Sequence, residues 1–372
     1  MSSDSHSETT RRRRFLKLGV AVSTPLLAGC AGGADDSGTE TATDTESSGD
    51  EGGGGTTSGG TTTMQQATEV TIGYIPSMAH APLQKPSYAG GFEGAGIEPT
   101  YQAVAGSSRL FSFLAAGDLD VAGAAVGAAA HNSLNRDLPV EVVAPLHSYP
   151  PDPEAAGPDP LLVSAASGIT EISELEGETI GVNTQGSAIQ WANHAALQTA
   201  GLSIEDVNQR TMPFPDMIPA MQNGSIVGGV IPEPLATVAS QRIEVNRLAG
   251  NILPGALLTA TSYNTDWAES NPEAADAFMT EYLRGARAIQ GRWTAEENLQ
   301  MIADYMDVPT DLIESAGKPY IDPNLEIDRE SLADIESFLM DRGQLDYDAP
   351  LEYEQKVNDS YRQHALETLG EV

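Results

Sequence analysis

Phe113-Leu114-Ala115-Ala116-Gly117-Asp118-Leu119-Asp120-Val121 closes a helical stretch with a glycine and runs into a short apolar strand. Glycine suits that place because it adopts the left-handed conformation that ends a helix at no steric cost. The same design returns later, where Ile218 to Met221 leads through Gln222-Asn223-Gly224-Ser225 into Ile226-Val227. Two helix–Gly–strand units in separate parts of one chain suit a bilobed receptor.

Working outward from the first unit, residues 70–75, 97–103, 119–123 and 140–146 read as strands, and 82–91 and 109–116 as helices. Strands alternating with helices argue for a parallel α/β sheet. Residues 150–160 break the pattern with five prolines, and proline halts helices and extends the residue before it. A second series follows, with strands at 161–163, 179–182, 207–212 and 226–231 and helices at 188–200 and 216–223. Near 255–262 the chain is expected to return to the first lobe. The remainder reads as helices at 272–292, 295–306, 329–342 and 353–369. The predicted boundaries are 68–155 for the first part of lobe 1, 156–254 for lobe 2, and 255–372 for the return and the C-terminal helices.

The first thirty residues read as an address. Arg11-Arg12-Arg13-Arg14-Phe15-Leu16-Lys17 precedes the apolar stretch 18–28, a basic region followed by a short hydrophobic one. The twin arginines resemble a Tat export signal. Leu27-Ala28-Gly29-Cys30 resembles a lipobox, whose cysteine carries the lipid, and Cys30 is the chain's single cysteine. One cysteine excludes a disulfide framework and a multi-cysteine metal site. Residues 31–67 are Gly, Ser, Thr, Asp and Glu with few apolar side chains. Such a segment cannot offset its ordering entropy, so it is expected to be a disordered tether.

The 372 residues hold 53 acids against 19 bases, a net charge of −34. A nucleic-acid partner is excluded on this ground, since phosphate binding needs clustered Lys and Arg. Without residues 1–29 the balance becomes −37, and Lys85, Lys318 and Lys356 are the only lysines left. Acids spread along the whole chain with so few lysines suggest a protein working in brine, where self-repulsion is screened.

The chain contains no Walker A sequence, GxGxxG, G-x-S-x-G or H-E-x-x-H, and its six histidines never sit at metal-ligand spacing. The reading is therefore a binding protein and not an enzyme, with no cofactor or metal. What remains are strand-to-helix turns rich in small polar residues: 77–80, 106–108, 123–127 and 183–187. In open α/β sheets ligands bind beyond the carboxyl ends of the strands. A helix N-terminus there offers unpaired N–H groups and a partial positive charge. The expected ligand-binding residues are Ser77, His80, Gly106, Ser107, Ser108, Ala125, Gln185, Gly186, Ser187, Phe214 and Glu233. Structural alternatives stand beside these roles: His80 as a turn histidine, the serines as helix caps, and Glu233, which could bind a ligand amine or bridge to the hinge, as a solvated acid before a proline.

These residues resemble a family. Ala79-His80-Ala81-Pro82 is similar to the Thr-His-Ala-Pro turn of substrate-binding proteins of ABC importers, in the nitrate, sulfonate, taurine and thiamine-pyrimidine-precursor group. Residues 113–120 resemble its Ala-Leu-x-x-Gly-x-(Ile/Leu)-Asp, and 201–207 its Gly-Leu-x-x-x-Asp-Val. Asn183-Thr184-Gln185 and Ile231-Pro232-Glu233-Pro234-Leu235-Ala236-Thr237 resemble the aliphatic-sulfonate subgroup, with Leu235 in place of its Trp. The resemblance covers roughly residues 69–300. It implies a type 2 periplasmic-binding-protein fold, two α/β lobes joined by two crossovers. With the lipobox at Cys30, the reading is a lipid-anchored, monomeric receptor at the extracellular face, capturing a small anion such as a sulfonate, taurine or nitrate for a membrane permease. Alternatives are the same fold binding a pyrimidine or flavin precursor through Tyr74, Trp191, Phe214 and Glu233, and an enzyme of pyrimidine-precursor synthesis.

Overall fold

The two helix–Gly–strand units end in two different five-stranded sheets. A computed structural model describes residues 67–372. The expected export signal, the lipidated Cys30 and the linker before Ala67 lie outside the described residues.

In lobe 1 the chain runs β1 (Thr68–Tyr74), α1 (Ala81–Ala89), α2 (Gly91–Gly94), β2 (Ile97–Ala103), α3 (Ser107–Ala116), β3 (Val121–Ala125), α4 (Ala128–Asn135) and β4 (Val140–Ser148). Lobe 2 holds β5 (Leu161–Ser164), β6 (Thr179–Val182), α5 (Ala188–Gln198), β7 (Asn208–Thr211), α6 (Phe214–Gln222), β8 (Gly228–Val230), α7 (Leu235–Arg242) and β9 (Val245–Ala249). The chain then returns through β10 (Leu257–Asn264) and ends with α8 (Thr265–Ser270), α9 (Pro272–Ile289), α10 (Glu296–Met306), α11 (Thr310–Ser315), α12 (Arg329–Asp341), α13 (Tyr353–Lys356) and α14 (Ser360–Leu369).

The sheet orders are β2-β1-β3-β10-β4 and β7-β6-β8-β5-β9. Neither sheet is all-parallel as expected. β1, β2 and β3 run parallel, but β10 lies antiparallel between β3 and β4. In lobe 2 the antiparallel strand is β5, between β8 and β9. The cause is the connection: β5 and β10 each enter their sheet straight from a crossover. They therefore start at the edge where the parallel strands finish. Both crossovers, 149–160 and 250–256, join that edge of one sheet to the same edge of the other. The carboxyl ends of the parallel strands in the two lobes thus face each other.

Packing follows the sequence periodicity. α9 buries Ala275, Phe278, Met279, Tyr282, Leu283, Ala286 and Ile289, an apolar stripe at helical spacing, against lobe 1. Phe92 stacks on Phe278 at 4.9 Å. A second core crosses between the lobes. It joins Val126 and Leu134 to Leu161, Ile189 and Trp191, and is covered by Leu332, Ile335, Phe338 and Leu339 of α12. The turn after α12 continues across both lobes. Gln344 donates to Gln190 of α5 at 3.2 Å, while the Asp346 amide donates to Asn132 of α4 at 3.0 Å.

The expected helix over 353–369 is two helices. Between them Val357 forms a parallel bridge to Val142, and the Asn358 amide donates to the Val142 carbonyl at 2.8 Å. The exposed side of edge strand β4 draws this segment out of helical geometry and is covered by it.

Candidate functional site

The carboxyl edge of lobe 1 is built from three turns. After β1, Ser77 caps a short helical turn and its hydroxyl meets His80 Nδ1 at 2.9 Å. His80 Nε2 donates to the Gly123 carbonyl at 2.9 Å, and a carbonyl only accepts, so Nε2 carries the proton. The Ser77 hydroxyl is therefore the donor to Nδ1. Burial pushes the His80 imidazole down to about 4, against a smaller opposite pull from the Gly123 carbonyl. His80 is 2% exposed, with both ring nitrogens bonded inside the protein. Tyr305 of α10 donates to the Ser77 carbonyl at 2.7 Å and pins the turn from behind.

After β2, Gly106 precedes α3, and the Ser107 hydroxyl accepts from the Ala125 amide at 2.9 Å. One hydrogen bond thereby ties the second turn to the third. Ser108 is exposed beside them. The nearby bases are turned to other tasks. Arg109 lies over the Phe113 ring at 5.0 Å, and Lys85 donates to Asn298 at 2.7 Å.

In lobe 2 the turn after β6 opens α5. Ser187 is a true N-cap, accepting from the Gln190 amide at 3.1 Å and donating to Asn183 at 2.9 Å. Gln190, fully buried, accepts from the Gly186 amide at 2.8 Å and donates to Gln185 at 2.5 Å. Phe214 opens α6 and packs, half-buried, on both the core that crosses between the lobes and the core within lobe 2.

The lobes touch where α4 and α5 begin. The Ala128 amide donates to the Gly186 carbonyl at 2.8 Å. Only glycine permits this approach. A Cβ on Gly127 would lie 2.5 Å from the Gly186 carbonyl, and Gly186 itself has φ +73° with Ala128 Cβ 3.1 Å from its own missing Cβ. Among the expected residues, Gly186 and Ser187 lie at this seam, while Ser107 is tied to Ala125, two residues before Gly127. Ser77 and His80 form a neighbouring unit linked through Gly123.

Glu233 is elsewhere, at the crossovers. It is 5% exposed, and its amide donates to the Pro158 carbonyl at 2.7 Å. Its carboxylate accepts from Thr237 N and Oγ1 at 2.9 and 2.8 Å and from the Gly317 amide at 3.3 Å, with Arg247 at 3.6 Å. This is the hinge-bridging arrangement weighed for it. A groove of about 380 Å³ lies beside it, lined by Glu154, Arg247, Asn251, Ser315 and Gly317. Another, of about 460 Å³, lies far along the chain at Arg292 and Glu296.

Several residues here escaped the sequence reading: Ala128 at the seam, Gln190 and Gln344 behind α5, and the buried pair His147 and Asp159, 3.4 Å apart. Gln190 had a signal, three residues after a capping serine. Asp159 had one too, as an acid between two prolines. Among the described residues, no group of three His, Cys, Asp or Glu is arranged to hold a metal ion.

Chemically, the named seam amides and the Ser187 hydroxyl are each bonded within the protein and no basic side chain is turned to them, so the seam is a hydrogen-bonded junction of helix starts and not a proton-transfer site. A model of the NMT1-like family matches residues 64–306. No curated protein matches the chain. Among solved structures, the alkanesulfonate-binding protein SsuA of Xanthomonas axonopodis pv. citri, bound to MOPS, is similar at 15% identity and TM-score 0.64, over 80% of this chain and 100% of that one. The periplasmic nitrate-binding protein NrtA of Synechocystis PCC 6803 is similar at 14% identity and TM-score 0.62, over 82% and 90%. The desulfurization enzyme DszB is similar at 14% identity and TM-score 0.57, over 81% and 99%. These likenesses establish the periplasmic-binding-protein fold.

Proposed function

The chain belongs to the NMT1-like family, and on that premise we propose that it is the solute-binding protein of an ABC importer. It stands at the extracellular face of the membrane, anchored by a lipid on Cys30 after Tat export, and acts as a monomer. It captures a small anion of the sulfonate, taurine or nitrate kind between its lobes and delivers it to the permease. The lobes, 68–155 with 255–372 against 156–254, move about the two crossovers, a hinge closure that gives the permease a shape to read.

The observation that carries this reading is the seam, where the Ala128 amide meets the Gly186 carbonyl at 2.8 Å. It sets the start of α4 against the start of α5, with Ser107 of α3 tied to the same edge. Helix starts carry unpaired N–H groups and a partial positive charge, and they bind oxyanions without Lys or Arg. Sulfonate- and nitrate-binding proteins of the same fold support the ligand class. The desulfurization enzyme keeps chemistry on this fold in view, but His80 has neither ring nitrogen free for it.

A thermal-shift screen of the chain in molar KCl tests the reading. A ligand at 100 times its Kd stabilises a fold by about 2.7 kcal/mol. Sulfonates, taurine or nitrate should raise the melting temperature, and Ser107→Ala and Ser187→Ala should weaken that rise. A response to pyrimidines or flavins alone would move the function to the alternative. That alternative draws on Tyr74, whose ring stands edge-on to Tyr101 at 5.9 Å and Tyr305 at 6.4 Å.

A further inference from the structure

Two stretches of the chain share the pattern Asn-x-Ser: Asn223-Gly224-Ser225 and Asn358-Asp359-Ser360. With any residue but proline in the middle, this is the acceptor sequence for N-linked sugars. The pattern alone treats the two asparagines alike, and the fold separates them.

Both stretches adopt the same local turn. The Asn223 side-chain oxygen accepts from the Ser225 amide at 2.9 Å and from the Ser225 hydroxyl. The Asn358 side-chain oxygen accepts from the Ser360 amide at 3.0 Å and from the Ser360 hydroxyl at 2.7 Å. Each carboxamide is thus fixed through its oxygen, and the difference lies at the nitrogen. Asn358 Nδ2 donates to the Glu141 carboxylate at 2.9 Å, a charge-assisted hydrogen bond. The residue is half-buried, in the segment where Val357 bridges Val142 and the Asn358 amide donates to the Val142 carbonyl. Asn223 is exposed at the end of α6, and among the described residues no group accepts from its Nδ2. Its neighbour Gly224 is equally open, since a Cβ there would meet nothing within 4 Å. The turn leads into β8, which runs parallel to β6. It therefore lies at the amino edge of the lobe 2 strands, opposite the edge that faces lobe 1.

We propose that Asn223 is a glycosylation site and that Asn358 is withheld from the same modification by its bond to Glu141. The bond that forms joins Asn223 Nδ2 to the anomeric carbon of a sugar. The bond that breaks joins that carbon to the phosphate of a lipid-linked saccharide. The lipid phosphate leaves with the electron pair, and Nδ2 gives up one proton. The sugar then stands on the outer edge of lobe 2 and leaves the seam uncovered. Access to the saccharide rests on the extracellular reading above, whereas the choice between the two asparagines rests on the fold. On that reading the Tat route delivers the chain already folded, so the transferase meets both turns as they stand in the structure.

The full-length chain, with its own signal, is expressed in cells that N-glycosylate their own surface proteins and is purified from their membranes. Mass spectrometry of tryptic peptides reads the two sites apart, because 211–242 carries Asn223 and 357–362 carries Asn358. A sugar mass is expected on 211–242 and none on 357–362. Ser225→Ala should abolish it, and Ser225→Thr, which keeps the acceptor pattern, should retain it. Both variants should keep the parent's melting temperature and response to solute. A bare 211–242 in a chain found lipidated outside the cell would overturn the site while the receptor reading stood. Sugar on 357–362 in place of 211–242, or equally on both, would overturn the choice made by the fold. A chain found only inside the cell would overturn its location and the modification together.

Discussion

Both ring nitrogens of His80 are bonded inside the protein, and burial holds its imidazole at about 4. The ordinary histidine value is near 6.5, so the unfolded chain takes up a proton that the folded chain refuses. The stability this group contributes is complete above about pH 6.5 and is lost as pH falls toward 4. The difference amounts to about 3 kcal/mol at most. Denaturant titrations between pH 7 and 4 should therefore show a shallower loss for His80→Gln than for the parent, and equal slopes would contradict the assignment. Glu233 is the second telling residue. Removing its carboxylate leaves the Thr237 and Gly317 amides without their acceptor. Glu233→Ala should destabilise by about 2–4 kcal/mol in the same assay.

At the level of elements, the contact between the starts of α4 and α5 depends on two residues without side chains. Gly127→Ala places a methyl 2.5 Å from the Gly186 carbonyl, and backbone cannot give way as a flexible side chain can. The seam must part. The expected cost is about 1–3 kcal/mol, together with a larger radius of gyration by small-angle scattering. An unchanged radius would mean that the seam does not hold the lobes. The C-terminal helices teach a related lesson. The periodicity of 353–369 favours one helix, but the chain leaves helical geometry at Val357 to bridge Val142. An unpaired strand edge elsewhere in the molecule outweighed local preference.

At the level of the whole molecule, charge and connectivity dominate. A net charge of −34 repels itself when unscreened. The Debye length falls from about 10 Å at 0.1 M salt to about 3 Å at 1 M. The melting temperature should rise steadily as KCl goes from 0.1 to 2 M, and a flat profile would remove the basis for reading the chain as adapted to brine. α12 and the turn behind it lie on both lobes, with Gln344 on α5 and Asp346 on α4. Any opening about the crossovers has to slide or release these contacts.

The strand at 97–103 and the strand at 179–182 were legible to the residue, because Ile97, Thr100 and Tyr101 in the one and Thr179, Ile180 and Val182 in the other favour extended backbone. The two-lobe plan was legible from one repeated helix–Gly–strand unit and a proline-rich break. So were the small polar turns, since glycine and serine at strand ends follow from local backbone chemistry. The strand directions were not legible, because they depend on which edge each crossover enters. Nor was the pairing of Ala128 with Gly186, or of His147 with Asp159. Those residues come from opposite lobes or from a crossover, and no periodicity within a segment carries information about another. Composition and local pattern therefore determined the lobes, their turns and the acidic surface. Only tertiary structure decided which turns meet and which buried polar atoms are left facing one another, because both depend on long-range closure of the chain.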